Sequence, residues 1–222
     1  MKVNTDGVLL GACVSISSAH RRILDVGTGT GCIALMLAQR YSDIGTAGFE
    51  ISGIDIDSAS AQEAGENFAR SPWPAHLDSR NISLQEFHPQ GKFDLIISNP
   101  PYFRNDLRAP DIRRDMSRHS DESLSYEDLL DFASRYLSDT GILAVILPAE
   151  NELPLLRSGA CLSLYASRIL KIRTTAAKDW SRVIIEMGRE RVIPLHESLT
   201  LQENGRYTPE YISRVSDFYL FA

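Results

Sequence analysis

A glycine-rich turn between an apolar run and a helix-like stretch limits the possible folds of this chain more than any other feature. The apolar residues Ile23 and Leu24 lead into Asp-Val-Gly-Thr-Gly-Thr-Gly at residues 25–31, with a strand predicted over residues 23–26, and residues 31–41 are then apolar on most sides of a helix. Glycine lets the chain bend tightly between a strand and a helix. The order predicts a strand, a tight turn and a buried helix, which is the opening unit of an α/β sheet.

The same alternation of apolar runs and helical patterns continues along the rest of the chain. Such an alternation predicts an α/β fold with one sheet. Further strands are predicted at residues 49–56, 77–80, 93–98, 142–147, 169–174 and 183–187, with irregular stretches at 103–122 and 189–206.

Helix starts carry their own signals. The pair Ser125 and Asp128 is typical of a helix cap, and Gly141 is expected to end the helix that follows. Thr208 followed by Pro209 predicts a short last helix, because proline fits the first helical position. A further helix is indicated by the spacing of Ala61, Ala64 and Phe68.

Composition sets the broad class. The 222 residues, 43% of them hydrophobic, can bury one substantial core, and we expect a single domain over residues 1–222. No run has the length of a membrane-spanning helix, and the first residues lack the apolar core of a signal peptide.

Cys13, Cys32 and Cys161 form no CxxC pair, which favours reduced thiols and a cytoplasmic protein. The formal charge of −6 argues against a surface broadly coated with nucleic acid, although local basic patches stay compatible with it.

The glycine turn predicts a site for a nucleoside cofactor. Gly27, Gly29 and Gly31 leave room for a ligand to lie against the backbone. Asp25 is expected either to order the loop or to accept a bond from a cationic amine. Asp55 comes 24 residues after Gly31, at the end of the second strand, where a carboxylate can bind both ribose hydroxyls.

Neighbouring residues complete this predicted site. Ile56 is assigned to it with Asp55, whereas Asp57 is expected to cap the next helix. Ser83, after the third strand, is a candidate for a contact with the cofactor's adenine, and an ordinary turn residue is the alternative. The loop reads G-x-G-x-G rather than the dinucleotide pattern G-x-G-x-x-G, which favours S-adenosylmethionine over NAD.

Asn99-Pro100-Pro101-Tyr102, directly after the apolar run 93–98, predicts the catalytic site. The side-chain carbonyl of Asn99 and the backbone carbonyl of Pro100 can accept the two hydrogens of a planar amine, and this stabilisation grows in the transition state. Two prolines hold these acceptors in place. The ring of Tyr102 can stack on a base. No metal is required, and the five histidines show no metal-ligand spacing.

Together, the glycine loop and the Asn-Pro-Pro-Tyr motif resemble the S-adenosylmethionine-dependent methyltransferases that modify planar amino groups. Over nearly the whole chain, the resemblance extends to the bacterial tRNA1(Val) adenine-N6 methyltransferase family. It is carried further by residues 2–12, Glu66-Asn67-Phe68, Ser71-Pro72-Trp73, Arg118-His119 and residues 207–221.

This resemblance implies a fold, a reaction and several residue roles. The implied fold is the Rossmann-like methyltransferase fold, a mostly parallel, seven-stranded twisted sheet with helices on both faces. The implied reaction methylates N6 of the adenosine 3′ of the anticodon, position 37, in a valine tRNA. Thr5 and Asp6 would lie near the methionine end of the cofactor, and a capping role is the alternative for Asp6. Relatives usually carry a further segment before residue 2, and we expect that its absence here affects activity more than cofactor binding.

Contacts with tRNA are expected from local positive charge, and a monomer is expected. The first predicted patch contains Arg104, Arg113, Arg114 and Arg118, and the second contains Arg168, Lys171, Arg173, Lys178 and Arg182. Ordinary solvated surface is the alternative for both. The alternative functions are a protein-glutamine methyltransferase acting on release factors, a ribosomal-RNA methyltransferase, a non-catalytic RNA-binding module and, less favoured, a hydride-transferring enzyme.

Overall fold

The computed structural model describes residues 4–100 and 124–219. Its helices are α1 (Thr5–Cys13), α2 (Cys32–Asp43), α3 (Ser58–Arg70), α4 (Tyr126–Tyr136), α5 (Glu152–Cys161) and α6 (Pro209–Val215). Its strands are β1 (Arg22–Val26), β2 (Glu50–Asp55), β3 (Leu77–Asn81), β4 (Phe93–Ser98), β5 (Leu137–Pro148), β6 (Tyr165–Arg173), β7 (Arg182–Gly188), β8 (Leu195–Thr200), β9 (Gln202–Glu203) and β10 (Arg206–Tyr207).

Within the described residues, eight strands form one sheet in the order β3-β2-β1-β4-β5-β7-β6-β8, and β9 and β10 form a separate hairpin. Neighbouring strands of the large sheet are parallel except where β7 pairs with β5 and β6. Strand β1 lies between β2 and β4, with Val26 in register with Ile54 on one side and Ser98 on the other. The strand order therefore reverses beside β1, and the carboxyl ends of these strands border the crevice where α/β sheets bind ligands.

Helices cover both faces of the sheet, as the unbroken burial of β1 from Ile23 to Val26 requires. Ile23 packs into a core that contains Leu37 of α2. Leu24, one residue later, packs into the opposite core with Leu129 of α4. Because successive strand residues point to opposite faces, a strand such as β1, with four consecutive buried residues, is stable only with both faces covered. The predicted α/β fold, with a mostly parallel sheet and helices on both faces, is confirmed.

Over residues 4–100 and 124–219 the large sheet has eight strands rather than the predicted seven, because β8 lies inside the stretch 189–206 that the sequence indicated to be irregular. Leu199 is the one fully buried side chain of β8. An edge strand with so few apolar positions shows no alternating pattern, which is why the sequence did not indicate it.

The expectation that Gly141 ends a helix is wrong. Helix α4 already ends at Tyr136, and Gly141 lies inside β5. A Cβ at Gly141 would lie 2.8 Å from the carbonyl oxygen of Phe93 on the neighbouring strand. The glycine therefore permits close backbone approach at the irregular start of the β4–β5 pairing.

The predicted helix caps are confirmed. Ser125 Oγ accepts a hydrogen bond from the Asp128 backbone N–H at 3.1 Å, within a reciprocal capping box. Thr208 caps α6 and Asp57 caps α3. Helices α1 and α5 were not predicted. Among the helices that the structure describes, none has the length and apolar character needed to cross a membrane.

Candidate active site

The glycine loop between β1 and α2 is bonded to the end of β2. The backbone N–H groups of Gly27 and Thr28 both donate to the carbonyl oxygen of Ile54, at 2.9 and 3.0 Å. Gly27, Gly29 and Gly31 have φ values of +70°, +57° and +79°, in the region that favours glycine. Gly27 is exposed, so a ligand can reach its backbone. This part of the loop fits a nucleoside cofactor.

Asp25 is fully buried beneath this loop. Its Oδ2 accepts a hydrogen bond from the Thr28 hydroxyl at 2.7 Å, which ties the strand end to the turn. Burial raises the pKa of Asp25 to about 7, with the hydrogen bond from Thr28 acting in the opposite direction. Of the two roles predicted for Asp25, the structure provides the contact for ordering the loop. A direct bond to a cofactor amine stays a prediction.

Asp55 binds the glycine loop from the end of β2. Its Oδ2 accepts from the Gly29 backbone N–H at 2.8 Å, and its Oδ1 accepts from the Asp57 N–H at 2.9 Å. Asn81 Nδ2 donates to the carbonyl oxygens of Asp55 and Ile56, at 3.0 and 2.8 Å, so the backbone here is anchored to β3. Ile56 is 48% exposed beside Asp55. These positions fit the predicted roles of both residues at the nucleoside.

Ser83 makes the contacts of a turn residue. Its hydroxyl donates to Glu86 Oε2 at 2.9 Å and accepts from the Glu86 backbone N–H at 3.3 Å. Phe87 N–H closes the turn on the Ser83 carbonyl at 3.1 Å. These bonds favour the turn alternative, and an adenine contact of Ser83 stays a prediction.

The Asn99-Pro100 pair follows β4 next to the glycine loop. Ser98 Oγ donates to the Val26 carbonyl oxygen at 2.8 Å, a buried bond that fixes the end of β4 to the end of β1. Asn99 comes next and donates from Nδ2 to Asn4 Oδ1 at 3.2 Å. Pro100 is buried. Asn99, the predicted catalytic residue, is therefore placed where the predicted cofactor loop begins.

Helix α1 brings the first described residues to this point. Thr5 is exposed, and Asp6 Oδ2 accepts from Arg182 Nε at 2.8 Å. The cap of α1 is Asn4, whose Oδ1 accepts from the Gly7 backbone N–H at 2.7 Å, so the capping alternative for Asp6 is wrong. Both predicted residues lie on the first turn of α1, and their contact with the cofactor's methionine end stays a prediction.

Two residues of the site were not recognised from the sequence as contacts. Asn4 precedes the helix-compatible run Thr-Asp-Gly-Val-Leu-Leu, which is an N-cap signal, but its contact with Asn99 joins residues 95 positions apart. Asn67 Nδ2 donates to the Thr30 carbonyl oxygen at 2.9 Å, from α3 to the glycine loop. The sequence signal that could have identified Asn67 is its place in Glu66-Asn67-Phe68, a stretch that resembles the family.

The second predicted basic patch is largely paired. Lys171 lies 3.0 Å from Glu152, and Arg182 bonds Asp6. The guanidinium of Arg173 lies 4.5 Å from the centre of the Trp180 ring. Arg168 also forms ion pairs, with Glu186 and Glu197. These contacts favour a structural role for much of this patch.

Some predicted site residues cannot be placed. Tyr102, the predicted base-stacking residue, lies outside the described residues. So does the first predicted basic patch, which contains Arg104, Arg113, Arg114 and Arg118. No group of three or more His, Cys, Asp or Glu side chains within residues 4–100 and 124–219 is arranged to hold a metal ion. The expectation of a metal-free site stays a prediction.

Comparisons with known proteins show the family of this chain. Residues 6–154 match the family model described as "Methyltransferase small domain". The chain is 41% identical to a Trichodesmium erythraeum protein named tRNA1(Val) (adenine(37)-N6)-methyltransferase, over 99% of this chain and 91% of that protein. A Parabacteroides distasonis protein of the same name is 42% identical, with the same coverage.

Solved structures share the fold. A predicted O-methyltransferase from Agrobacterium tumefaciens superimposes with a TM-score of 0.72 at 19% identity, covering 96% of each chain. A putative class I S-adenosylmethionine-dependent methyltransferase from Listeria monocytogenes gives a TM-score of 0.57 at 19% identity, covering 87% of this chain and 62% of that one. At these identities the likeness concerns the fold alone.

Proposed function

The chain belongs to the tRNA1(Val) (adenine(37)-N6)-methyltransferase family, and we propose that it methylates N6 of adenosine 37 in a valine tRNA. S-adenosylmethionine is the methyl donor. The observation that carries the residue assignment is the position of Asn99, which follows β4 beside the glycine loop at the point where the strand order reverses. A planar amine and a nucleoside cofactor can meet at this point of the sheet.

The glycine loop and Asp55 form the cofactor side of the site. The exposed backbone at Gly27 lets the cofactor lie close to the chain, and the Asp55 carboxylate accepts hydrogen bonds from the ribose hydroxyls. When bound, S-adenosylmethionine supplies a methyl group on a positively charged sulfur and leaves as S-adenosylhomocysteine.

Asn99 and Pro100 form the substrate side. The Asn99 side-chain carbonyl and the Pro100 backbone carbonyl accept the two N6 hydrogens, which makes the nitrogen lone pair available for the new N–C bond. Positive charge develops on N6 as this bond forms, so both hydrogen bonds strengthen in the transition state. Neither carbonyl is basic enough to keep the proton, which N6 loses to solvent. Tyr102 is the proposed stacking partner of the adenine.

The tRNA is proposed to dock through phosphate contacts around the site. Arg104, Arg113, Arg114 and Arg118 follow the Asn-Pro-Pro-Tyr motif in sequence and are the proposed contacts. A tRNA substrate would place the enzyme in the cytoplasm. A monomer is the proposed state.

Methyl transfer to defined tRNA tests this function. Labelled S-adenosylmethionine is incubated with an unmodified valine tRNA transcript, and the RNA is digested to nucleosides. We expect label in N6-methyladenosine, and none with a transcript that carries guanosine at position 37. Asn99→Ala should lower turnover by about 100-fold or more while binding the cofactor normally. An unlabelled valine tRNA, with label appearing when a release factor or ribosomal RNA is supplied in its place, would contradict the proposal.

A further inference from the structure

We propose that Asn4 is a positioning residue that determines which edge of the Asn99 side-chain amide faces the target amine. The proposal rests on the function proposed above, in which the Asn99 carbonyl accepts a hydrogen bond from N6. Its basis is a contact between the start of α1 and the end of β4, where Asn99 Nδ2 lies 3.2 Å from Asn4 Oδ1.

The backbone of α1 determines which atom of Asn4 faces Asn99. The Gly7 backbone N–H can only donate, and it lies 2.7 Å from the Asn4 side chain, so the Asn4 atom there is the acceptor Oδ1. Oδ1 then has room for a second donor, because a carbonyl oxygen has two lone pairs. The Asn99 atom that approaches it is therefore the donor Nδ2.

This arrangement matters because the two edges of an amide have opposite chemistry. With Nδ2 turned to Asn4, the Asn99 oxygen occupies the other edge and can accept from an amine. A half-turn of the amide would instead bring Nδ2 toward the N6 hydrogens, and two donors would then face each other. Asn4 thus favours the catalytically useful orientation before the substrate arrives, which lowers the cost of reaching the transition state.

The packing of Gly7 keeps α1 close enough for this contact. A Cβ at Gly7 would lie 3.1 Å from Asn4 Oδ1 and 3.7 Å from Asn99 Nδ2. A larger side chain at position 7 would therefore crowd both side-chain amides.

Other contacts hold α1 in place independently of Asn4. Asp6 is bonded to Arg182 of β7 at 2.8 Å. Near the other end of the helix, Arg40 and Arg168 donate to the carbonyl oxygens of Gly11 and Cys13, each at 2.8 Å. A change at Asn4 can therefore remove the contact with Asn99 without releasing the helix.

Asn4→Gly is the central variant. Glycine is well tolerated at a helix N-cap, so α1 should still begin at the same residue, but the acceptor for Asn99 is gone. At saturating cofactor and tRNA, kcat should fall about fivefold or more, the factor expected for one lost hydrogen bond. The Kd for S-adenosylmethionine and the melting temperature should change little.

Asn4→Asp is the rescue variant. Its carboxylate can accept from both Gly7 N–H and Asn99 Nδ2, so kcat should recover most of what Asn4→Gly loses. KM for tRNA is measured separately, because the added negative charge weakens phosphate binding. Asn204→Gly, at an exposed turn residue with φ of +49°, is the matched control and should leave kcat intact.

The outcomes separate this inference from the proposed function. If Asn99→Ala loses turnover but Asn4→Gly does not, the positioning role is overturned and the proposed function stands. If Asn99→Ala keeps full turnover, the proposed role of Asn99 fails. A fall in kcat for Asn4→Gly that is matched by lost cofactor binding or lost stability, or that Asn4→Asp does not reverse, would show a structural role and overturn the positioning proposal.

Discussion

At the scale of single residues, Asp55 connects the sheet to the proposed cofactor loop. One carboxylate oxygen accepts from Gly29 N–H and the other from Asp57 N–H, so both have fixed orientations before any ligand binds. The ribose hydroxyls can bind to the remaining lone pairs of an already oriented group. Such preorganisation reduces the entropy lost on binding.

Asp55→Asn should weaken S-adenosylmethionine binding by about tenfold or more, because hydrogen bonds to a charged acceptor contribute about 1.5–3 kcal/mol. The amide keeps the size of the carboxylate but replaces one acceptor oxygen with a donor that faces a backbone N–H. Isothermal titration calorimetry with S-adenosylmethionine measures the effect directly.

Asp57→Asn is the matched control for Asp55. It removes one negative charge two residues away, and asparagine caps α3 as well as aspartate does. Its cofactor affinity should stay close to that of the unmodified chain. If both variants lose the same affinity for S-adenosylmethionine, the negative charge near the loop, rather than the contact made by Asp55, determines cofactor binding.

The chemical types of the site residues could be predicted from the sequence, whereas most of their partners could not. Glycine at a strand–helix turn and Asn-Pro after a buried strand have few other physical uses, so the order of residues was informative. The contact of Asn99 with Asn4 depends on how α1 packs against the sheet. Likewise, the sequence carries no sign that Asp25 is fully buried and bonded to Thr28.

At the scale of elements, α1 shows why some helices escape sequence analysis. Six of its nine residues are buried, and two of the six are Gly7 and Gly11. A helix that is covered on most sides has no polar stripe, and glycine lowers its helix propensity. A Cβ at Gly11 would lie 2.9 Å from the Met36 sulfur on α2, so here glycine serves close helix packing instead.

Packing of the glycine loop against α3 gives an element-scale prediction. A Cβ at Gly31 would lie 2.4 Å from the Phe68 ring, and the backbone there has φ of +79°. Gly31→Ala should therefore lower the free energy of unfolding by about 1–2 kcal/mol for the left-handed backbone and by about 1–3 kcal/mol more for overpacking. Urea unfolding followed by circular dichroism measures the loss.

Gly45→Ala isolates the backbone contribution. Gly45 has φ of +68°, and no atom lies within 4 Å of its Cβ position. The free energy of unfolding of this control should therefore fall only by the amount expected for the left-handed backbone. If both alanine variants are destabilised equally, the contact between the loop and Phe68 makes no contribution of its own.

At the scale of the whole molecule, ion pairs attach the far edge of the sheet to the helix that carries Asn4. Arg168 on β6 pairs with Glu186 on β7 and Glu197 on β8, and its Nη1 also donates to the Cys13 carbonyl oxygen at 2.8 Å. Arg214 of α6 lies 3.5 Å from Glu197. These charges explain why the polar strand β8 belongs to the sheet, which its sequence pattern did not indicate.

Partial burial of Glu197 favours its neutral form, but the hydrogen bond and charge of Arg168, together with Arg214, outweigh it and lower the pKa of Glu197. The folded chain therefore binds this proton less tightly than the unfolded chain does. The stabilisation is present above the ordinary glutamate pKa of 4.5 and is lost as the pH falls through the lowered value.

Removal of the Glu197 charge should therefore flatten the acid side of the stability curve. The free energy of unfolding, measured by urea titration at a series of pH values, should fall below pH 4.5 in the unmodified chain. Near neutral pH, Glu197→Gln should have a lower free energy of unfolding than the unmodified chain. Below pH 4.5, however, its free energy of unfolding should fall less steeply with pH. Glu203→Gln, at an exposed position of β9, is the control and should keep the original slope. An unchanged slope in Glu197→Gln would mean that other carboxylates govern acid unfolding and that the ion pairs of Glu197 make no pH-dependent contribution to stability.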